Sequence, residues 1–204
     1  MRKLAVLALL AALPTPAFAQ LAMPSFSGFY IQAYGGLRVP DNLQYNGTAQ
    51  DLGIGNSLGA SVGVDTSIPG VSAELDYMHS SANYSALGTS LDSQSFMVDG
   101  IYNLDLNMGN IKPYLGAGLG AVNVTYKSSD SGTGLGFQVK AGVSGPITDQ
   151  LSWFGEYRYQ QAIGNINIGS PAYPVEYASH SILGGLKISF GGGAAPSGSS
   201  YTGY

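Results

Sequence analysis

Cysteine is absent, positive charge is scarce, and only one apolar run is long enough to notice. Without cysteine there is no disulfide framework, no lipidated N-terminal thiol and no Cys-ligated metal. Lysine and arginine number 8 against 12 acidic residues. None of the basic residues cluster, which excludes nucleic acid as a partner, since phosphate binding needs a basic surface. Charged residues of both signs make up 10% of the chain, against about 25% in ordinary soluble domains. A water-facing surface is hard to build from so few. The apolar run, over residues 4–13, is about half as long as a bilayer-spanning helix requires.

What is present begins with an export signal. Arg2 and Lys3 precede that run, and Ala17-Phe18-Ala19 places small residues where a signal peptidase reads them, so residues 1–19 are expected to be removed ahead of Gln20. Loss of Arg2 and Lys3 leaves six basic and twelve acidic side chains, a formal charge of −6. Roughly 185 residues remain, enough for one domain. Glycine, at 30 of 204 residues, is about twice its usual share.

From Phe29 onward the hydrophobic period is two, not 3.6. In the first such stretch Phe29, Ile31, Ala33 and Leu37 alternate with Tyr30, Gln32, Tyr34 and Arg38; in the second Leu58, Val62 and Val64 alternate with Ser57, Ser61 and Asp65. The third sets Leu75 and Tyr77 against Glu74 and Asp76, and the fourth Phe96, Val98 and Tyr102 against Met97, Asp99 and Ile101. In the fifth, Leu115, Ala117, Leu119 and Ala121 share a face, but the apolar register changes side at Val122 and Val124, as a bulge would cause. The sixth is the cleanest, with Leu135, Phe137, Val139, Ala141 and Val143 against Gly136, Gln138, Lys140, Gly142 and Ser144. At this composition such a match arises by chance about once in a thousand registers. The seventh sets Trp153, Tyr157 and Tyr159 against Phe154, Glu156 and Arg158, and the eighth Ile182, Leu186, Ile188 and Phe190 against Ser181, Leu183 and Lys187.

Eight strands of this length, joined alternately by long connections (39–55, 80–94, 127–134 and 161–177) and short turns (66–70, 105–110 and 145–150), predict an up-and-down antiparallel β-barrel of the outer-membrane kind, with long loops outside and both termini periplasmic. A hairpin hidden in 39–55 would raise the count to ten. Residues 191–204, rich in Gly, Ser and Ala, read as a flexible tail, which leaves 20–190 for the barrel.

Alternation alone does not say which face is inside, and a soluble lipocalin-like barrel has the same period with the opposite sense. The polar face is lined with glycine and serine, which suit a narrow lumen; a solvated exterior would carry many lysines and glutamates. Its charges nearly balance: Arg38, Lys140, Arg158 and Lys187 against Glu74, Asp76, Asp99 and Glu156, with Asp65 near the periplasmic end. The apolar face sorts its aromatics to the strand ends, Phe29, Tyr102, Trp153 and Phe190 at one and Tyr77, Phe96, Phe137, Tyr157 and Tyr159 at the other. Two such bands match the headgroup levels of a bilayer.

Three segments carry a resemblance: the run Lys112-Pro113-Tyr114-Leu115-Gly116-Ala117-Gly118-Leu119-Gly120, the Glu156-Tyr157-Arg158-Tyr159 segment, and the closing stretch from His180-Ser181-Ile182-Leu183-Gly184 to Phe190. Over about residues 26–190 the chain resembles the small outer-membrane β-barrel domain of the porin family (OmpA/OmpX-like). The resemblance implies outer-membrane lipid and lipopolysaccharide as surroundings, and a last-strand phenylalanine read by the barrel-insertion machinery. Here Phe190 is followed by further chain, unlike the usual family ending.

Catalytic patterns are weak. His79-Ser80 and His180-Ser181 suggest lipid A-modifying chemistry, but neighbours on a strand point to opposite faces and cannot form a dyad. Gly116-Ala117-Gly118-Leu119-Gly120 lacks the Lys-Ser/Thr and following helix of a phosphate loop. The acidic loop residues Asp41, Asp51, Asp92, Asp130 and Glu176 have no ligand-like spacing. No catalytic residue, metal or cofactor is expected. The expectation is a structural or surface-interaction barrel with a plugged polar lumen, acting through four extracellular loops on an unidentified ligand; a small-solute channel is the alternative, and a lipid A-modifying enzyme ranks below both. Mass spectrometry of the mature protein, recovered from the outer-membrane fraction, should begin at Gln20 or its cyclised form. Recovery as a soluble periplasmic protein would contradict this.

Overall fold

Two-faced strands with an apolar side must bury or solvate that side, and closing the sheet removes the unpaired edges that an open one would expose. The computed structural model describes residues 28–40, 43–45, 48–50, 53–84, 89–126, 130–168 and 173–190. The expected signal peptide (1–19) and tail (191–204) lie outside the described residues.

Eight strands form the wall: β1 (Phe29–Pro40), β4 (Gly55–Asp65), β5 (Val71–Tyr84), β6 (Thr89–Asn103), β7 (Lys112–Tyr126), β8 (Asp130–Pro146), β9 (Leu151–Ala162) and β12 (Ala178–Phe190). They close as β1-β12-β9-β8-β7-β6-β5-β4, all neighbours antiparallel. Closure runs from Phe29 opposite Phe190 to Pro40 opposite Ser179. The hairpin considered for 39–55 exists as β2 (Leu43–Tyr45) and β3 (Thr48–Gln50), but it pairs only with itself and the barrel keeps eight strands. A second small hairpin, β10 (Ile166–Ile168) with β11 (Tyr173–Val175), lies within the last long connection.

The apolar face points outward. Leu58 and Ile182 are each 69% exposed, while their neighbours Ser57 and Ser181 are buried. Leu75, Val98, Leu119, Leu135, Val139 and Leu186 share the outer surface, where an inward-packed barrel would have hidden them. The turns are tight where glycine and asparagine allow it: Gly70 takes a φ of 77°, and Asn107 (51°) and Gly109 (66°) turn the chain between β6 and β7.

Two expectations need correction. The predicted loops 80–94 and 127–134 are largely strand, since β5 and β6 pair out to Tyr84 and Thr89, and β7 and β8 out to Tyr126 and Asp130. Nor is there a bulge at Val122: the pairing of β7 with both neighbours runs unbroken through Val122 and Val124. The pattern changes face because the interior changes character. At this height Val122 and Val124 point inward and, with Leu91, Met97, Ala162, Ile166 and Tyr177, form a buried apolar cluster. Ile166 comes from β10, so the last long connection contributes a side chain to this apolar cluster.

Val139 sits mid-strand on the outer wall beside the buried Lys140. With lipid around that wall, Val139→Arg, directly across from Tyr159 and so above the bilayer midplane, should destabilise the inserted barrel by about 1–3 kcal/mol, and Val139→Leu should be nearly neutral. Urea unfolding in lipid vesicles checks both; equal stability of the two variants would mean that this face does not meet lipid.

Candidate functional site

The densest chemistry in the molecule lies midway along the lumen. Arg158 on β9 reaches across to β5, with Nη1 2.9 Å from Asp76 Oδ1, and its Nη2 lies 2.8 Å from Glu156 Oε1 on its own strand. From β8, Lys140 Nζ is 2.8 Å from Glu74 Oε1, 3.4 Å from Asp76 Oδ2 and 2.8 Å from Asp99 Oδ2. Asp76 thus accepts from both cations. Every one of these side chains is at most 5% exposed. Charges so far from water are costly unless they are paired and hydrogen-bonded.

Neutral donors complete the set. Tyr34 donates to Asp76 Oδ2 (2.8 Å) while accepting from Arg158 Nη1 (3.0 Å). Tyr30 donates to Glu74 (3.2 Å), Tyr114 to Glu156 (2.9 Å), Gln32 to Glu74 (2.6 Å) and Gln138 to both oxygens of Asp99 (2.8 and 2.9 Å). Four carboxylates therefore face two cations, and hydroxyl and amide donors supply the remaining stabilisation.

The tyrosines reach their carboxylates over glycine. Tyr30 pairs with Gly63, which pairs with Glu74; Tyr114 pairs with Gly142, which pairs with Glu156; Tyr34 lies opposite Gly59, which pairs with Met78, and reaches Asp76 two residues further along β5. A Cβ on any of these glycines would collide with the tyrosine ring. The missing side chain is what lets a ring lean across one strand and bond to the next. This is a specific use for glycines that the sequence reading took only as small lumen residues. Tyr30, Tyr34, Tyr114, Gln138 and Gln160 were not among its site candidates; for all but Gln160, which lies between Gln138 and Ser179, the signal was an inward polar or aromatic side chain with a glycine opposite it, visible only once the register is known.

Arg38 and Lys187, expected in the same network, make no close ion pair with its carboxylates, although Lys187 shares a cavity with Asp65, Glu74 and Glu156. Arg38 is fully buried nearer the long-loop end, donating to Ser93 Oγ (3.0 Å) beneath the Tyr177 ring (5.1 Å to its centroid), and its Nε and Nη2 have no hydrogen-bond partner among the described residues. Lys187 lies over the Tyr30 ring at the short-turn end (5.1 Å), where a cavity of about 50 Å³ also meets Asp65 and Ser72. Asp65 accepts from Ser72 Oγ (2.7 Å). Amides and hydroxyls link the layers: Tyr177 donates to Gln160 (2.9 Å), and Gln160 donates to Ser95 (3.0 Å) and Gln138 (3.3 Å). Below Arg38, Tyr34, Met78, Phe154 and Leu183 form a second apolar cluster, so the lumen is not uniformly polar.

Glu74, Asp76 and Asp99 offer oxygens within 4.8 Å of one another, a spacing compatible with a metal ion. The Lys140 ammonium already lies within hydrogen-bond distance of all three and supplies the charge a cation would bring. The His-Ser pairs are split by the wall: Ser80 and Ser181 are buried inside, Ser80 sharing a hydrogen bond with Ser57 (2.6 Å), whereas His180 meets Tyr157 Oη at 2.5 Å on the outer surface. Of the acidic loop residues, Asp41 and Asp51 lie outside the described residues, as does the side chain of Asp130.

The aromatics face outward in two bands. Phe29 contacts Phe190 (centroids 5.8 Å apart), with Tyr102 and Trp153 exposed at the same end. A second band joins Tyr77 to Phe96 (4.7 Å) and Phe137 to Tyr159 (6.1 Å), with Tyr157 and Tyr159 flanking His180; because β5–β8 run on to Tyr84, Thr89, Tyr126 and Asp130, Tyr77, Phe96 and Phe137 lie about midway along their strands and not at the strand ends expected.

Comparison with known proteins agrees with this architecture. The sequence profile described as outer membrane protein beta-barrel domain matches residues 5–190. No curated protein sequence matches the chain. Among solved structures, Neisserial surface protein A is 27% identical with a TM-score of 0.63, over 81% of this chain and 99% of that one. A major outer membrane protein from Thermus thermophilus is 12% identical with a TM-score of 0.52, over 80% and 98%. The N-terminal β-barrel domain of Pseudomonas aeruginosa OprF is 18% identical with a TM-score of 0.47, over 81% and 99%.

Removing Arg158 would leave Asp76 buried with only Tyr34 and Lys140, and Glu156 with only Tyr114. Arg158→Ala should lower stability by about 3–5 kcal/mol, and adding Asp76→Ala should recover part of that loss. Unfolding in denaturant, followed by the heat-modifiable gel shift of folded barrels, reads both. An Arg158→Ala barrel as stable as the parent would show that the network contributes nothing.

Proposed function

Because this chain belongs to the outer membrane protein β-barrel domain family, and so is an integral barrel of the bacterial outer membrane, we propose that it serves there as a structural or surface-interaction barrel with a closed lumen, not as an enzyme or an open channel. The short turns and both termini face the periplasm, and the long connections face the exterior. Export uses the cleaved signal peptide, and the insertion machinery reads the last strand at Phe190. The rims of aromatic residues rest at the two headgroup levels, with lipid and lipopolysaccharide around the wall.

The observation that carries this reading is the cross-lumen bonding of Arg158, Asp76 and Lys140, whose side chains are 1%, 0% and 1% exposed. A solute would have to break those ion pairs and then displace the apolar plug under Ile166. Eight strands leave an interior that side chains can fill, whereas wide aqueous pores use about 16. Catalysis is disfavoured because each serine beside a histidine lies on the other side of the wall from it. What remains accessible to partners is the rim and the connections above it.

The refolded protein in planar bilayers should show no steady ohmic conductance. Arg158→Ala, which opens the middle of the lumen but leaves the Ile166 plug, should remain closed. Reproducible conductance steps from the parent barrel would favour the small-solute channel instead.

A further inference from the structure

The guanidinium of Arg38 is engaged at one end and on one face. Its Nη1 donates to Ser93 Oγ (3.0 Å), and the Tyr177 ring lies over its plane (5.1 Å to the centroid). Nε and Nη2 have no hydrogen-bond partner among the described residues, although Arg38 is 0% exposed. These two nitrogens share one edge of the planar group, so their N–H bonds run side by side as the fork with which arginine holds anions. Buried donors left unpaired are costly, and a buried guanidinium without a counter-charge costs more.

Among the described residues no carboxylate meets that edge. Glu74, Asp76, Asp99 and Glu156 are engaged by Lys140 and Arg158. Asp76 lies four residues along β5 from Ser80, about 13 Å from the level at which Arg38 bonds. Asp92 alternates with the inward Leu91 and Ser93, and Glu176 is exposed, so both stand outside the lumen. The charged neighbour along the ladder is another cation, because Ser181 pairs with Arg38 on one side and with Arg158 on the other. Hydroxyls surround the edge instead. Ser57, Ser80 and Ser93 form one row across β4, β5 and β6, and Ser179 and Ser181 face them from β12, all at most 5% exposed. Serine hydroxyls donate to an anion without adding a charge of their own. So complete an enclosure also sets the size, since a phosphate dianion would need a second cation and more room, whereas a monatomic ion needs a few convergent donors. We propose that the Nε–Nη2 edge of Arg38, with the serine hydroxyls around it, is an internal site for one small monovalent anion of chloride size, taken up as the barrel closes.

Because the ion enters on closure, the test refolds the barrel in each salt. Isotope-labelled protein is refolded into nanodiscs in sodium chloride and, at the same ionic strength, in sodium gluconate, whose anion is too large for the site. The Arg38 Nε–H signal, assigned by its loss in Arg38→Gln, should differ between the two salts. Relative to gluconate, chloride at about ten times its dissociation constant should lower the unfolding equilibrium constant about elevenfold, and Arg38→Gln, shown folded by its gel mobility, should lose that dependence. Crystals of the parent barrel grown in bromide should carry anomalous density at the Nε–Nη2 edge, a result that stands even if the variant does not fold. An edge without bromide, together with the same Nε–H signal in both salts, overturns the site, the fork then being held by water or by the chain itself. Equal chloride dependence of the parent and Arg38→Gln overturns it as well, since that is a general salt effect.

Discussion

Two cations buried among four carboxylates set the terms for the rest of this barrel. Lys140 and Arg158 have no access to bulk water, and their cost is offset only if acidic partners from several strands arrive at fixed positions. Asp76 binds both cations and Tyr34, so β1, β5, β8 and β9 are tied at one height. A one-residue slip in any of these strands would turn its charge toward the outer wall and bring an apolar side chain in. The interior network therefore reinforces the register that the backbone ladder sets.

Glycine is what makes that network reachable. Strands in a small barrel are too close for tyrosine to pass over an ordinary neighbour, and Gly59, Gly63 and Gly142 remove the obstructing atom where Tyr34, Tyr30 and Tyr114 need it. The high glycine content is thus only partly a matter of narrowness; at these positions it creates lateral paths between alternate strands. Above the network the lining of the lumen changes character, and Val122, Val124 and Ile166 pack there in an apolar cluster. The interior thus carries two kinds of packing, ion pairs in the middle and an apolar cluster at the long-loop end.

The amino-acid sequence by itself determined the barrel class, the sense of its faces and most strand positions, because period-two alternation and turn chemistry are local properties. Leu135 to Val143 alternate with Gly136 to Ser144 whatever the rest of the chain does. The sequence also singled out Glu74, Asp76, Lys140, Glu156 and Arg158 as inward charges. Only the tertiary structure decided which of them meet. Arg38 and Lys187 face the same lumen but sit at other heights, and height is set by strand stagger, which no single strand encodes. The same cause explains Val122 and Val124: their inward turn looked like a bulge because the apolar plug they join, contributed by β6, β7, β9, β10 and Tyr177, exists only after closure. Local patterning specifies a strand and its faces, whereas the composition of the enclosed space depends on residues far apart in the chain arriving at one level.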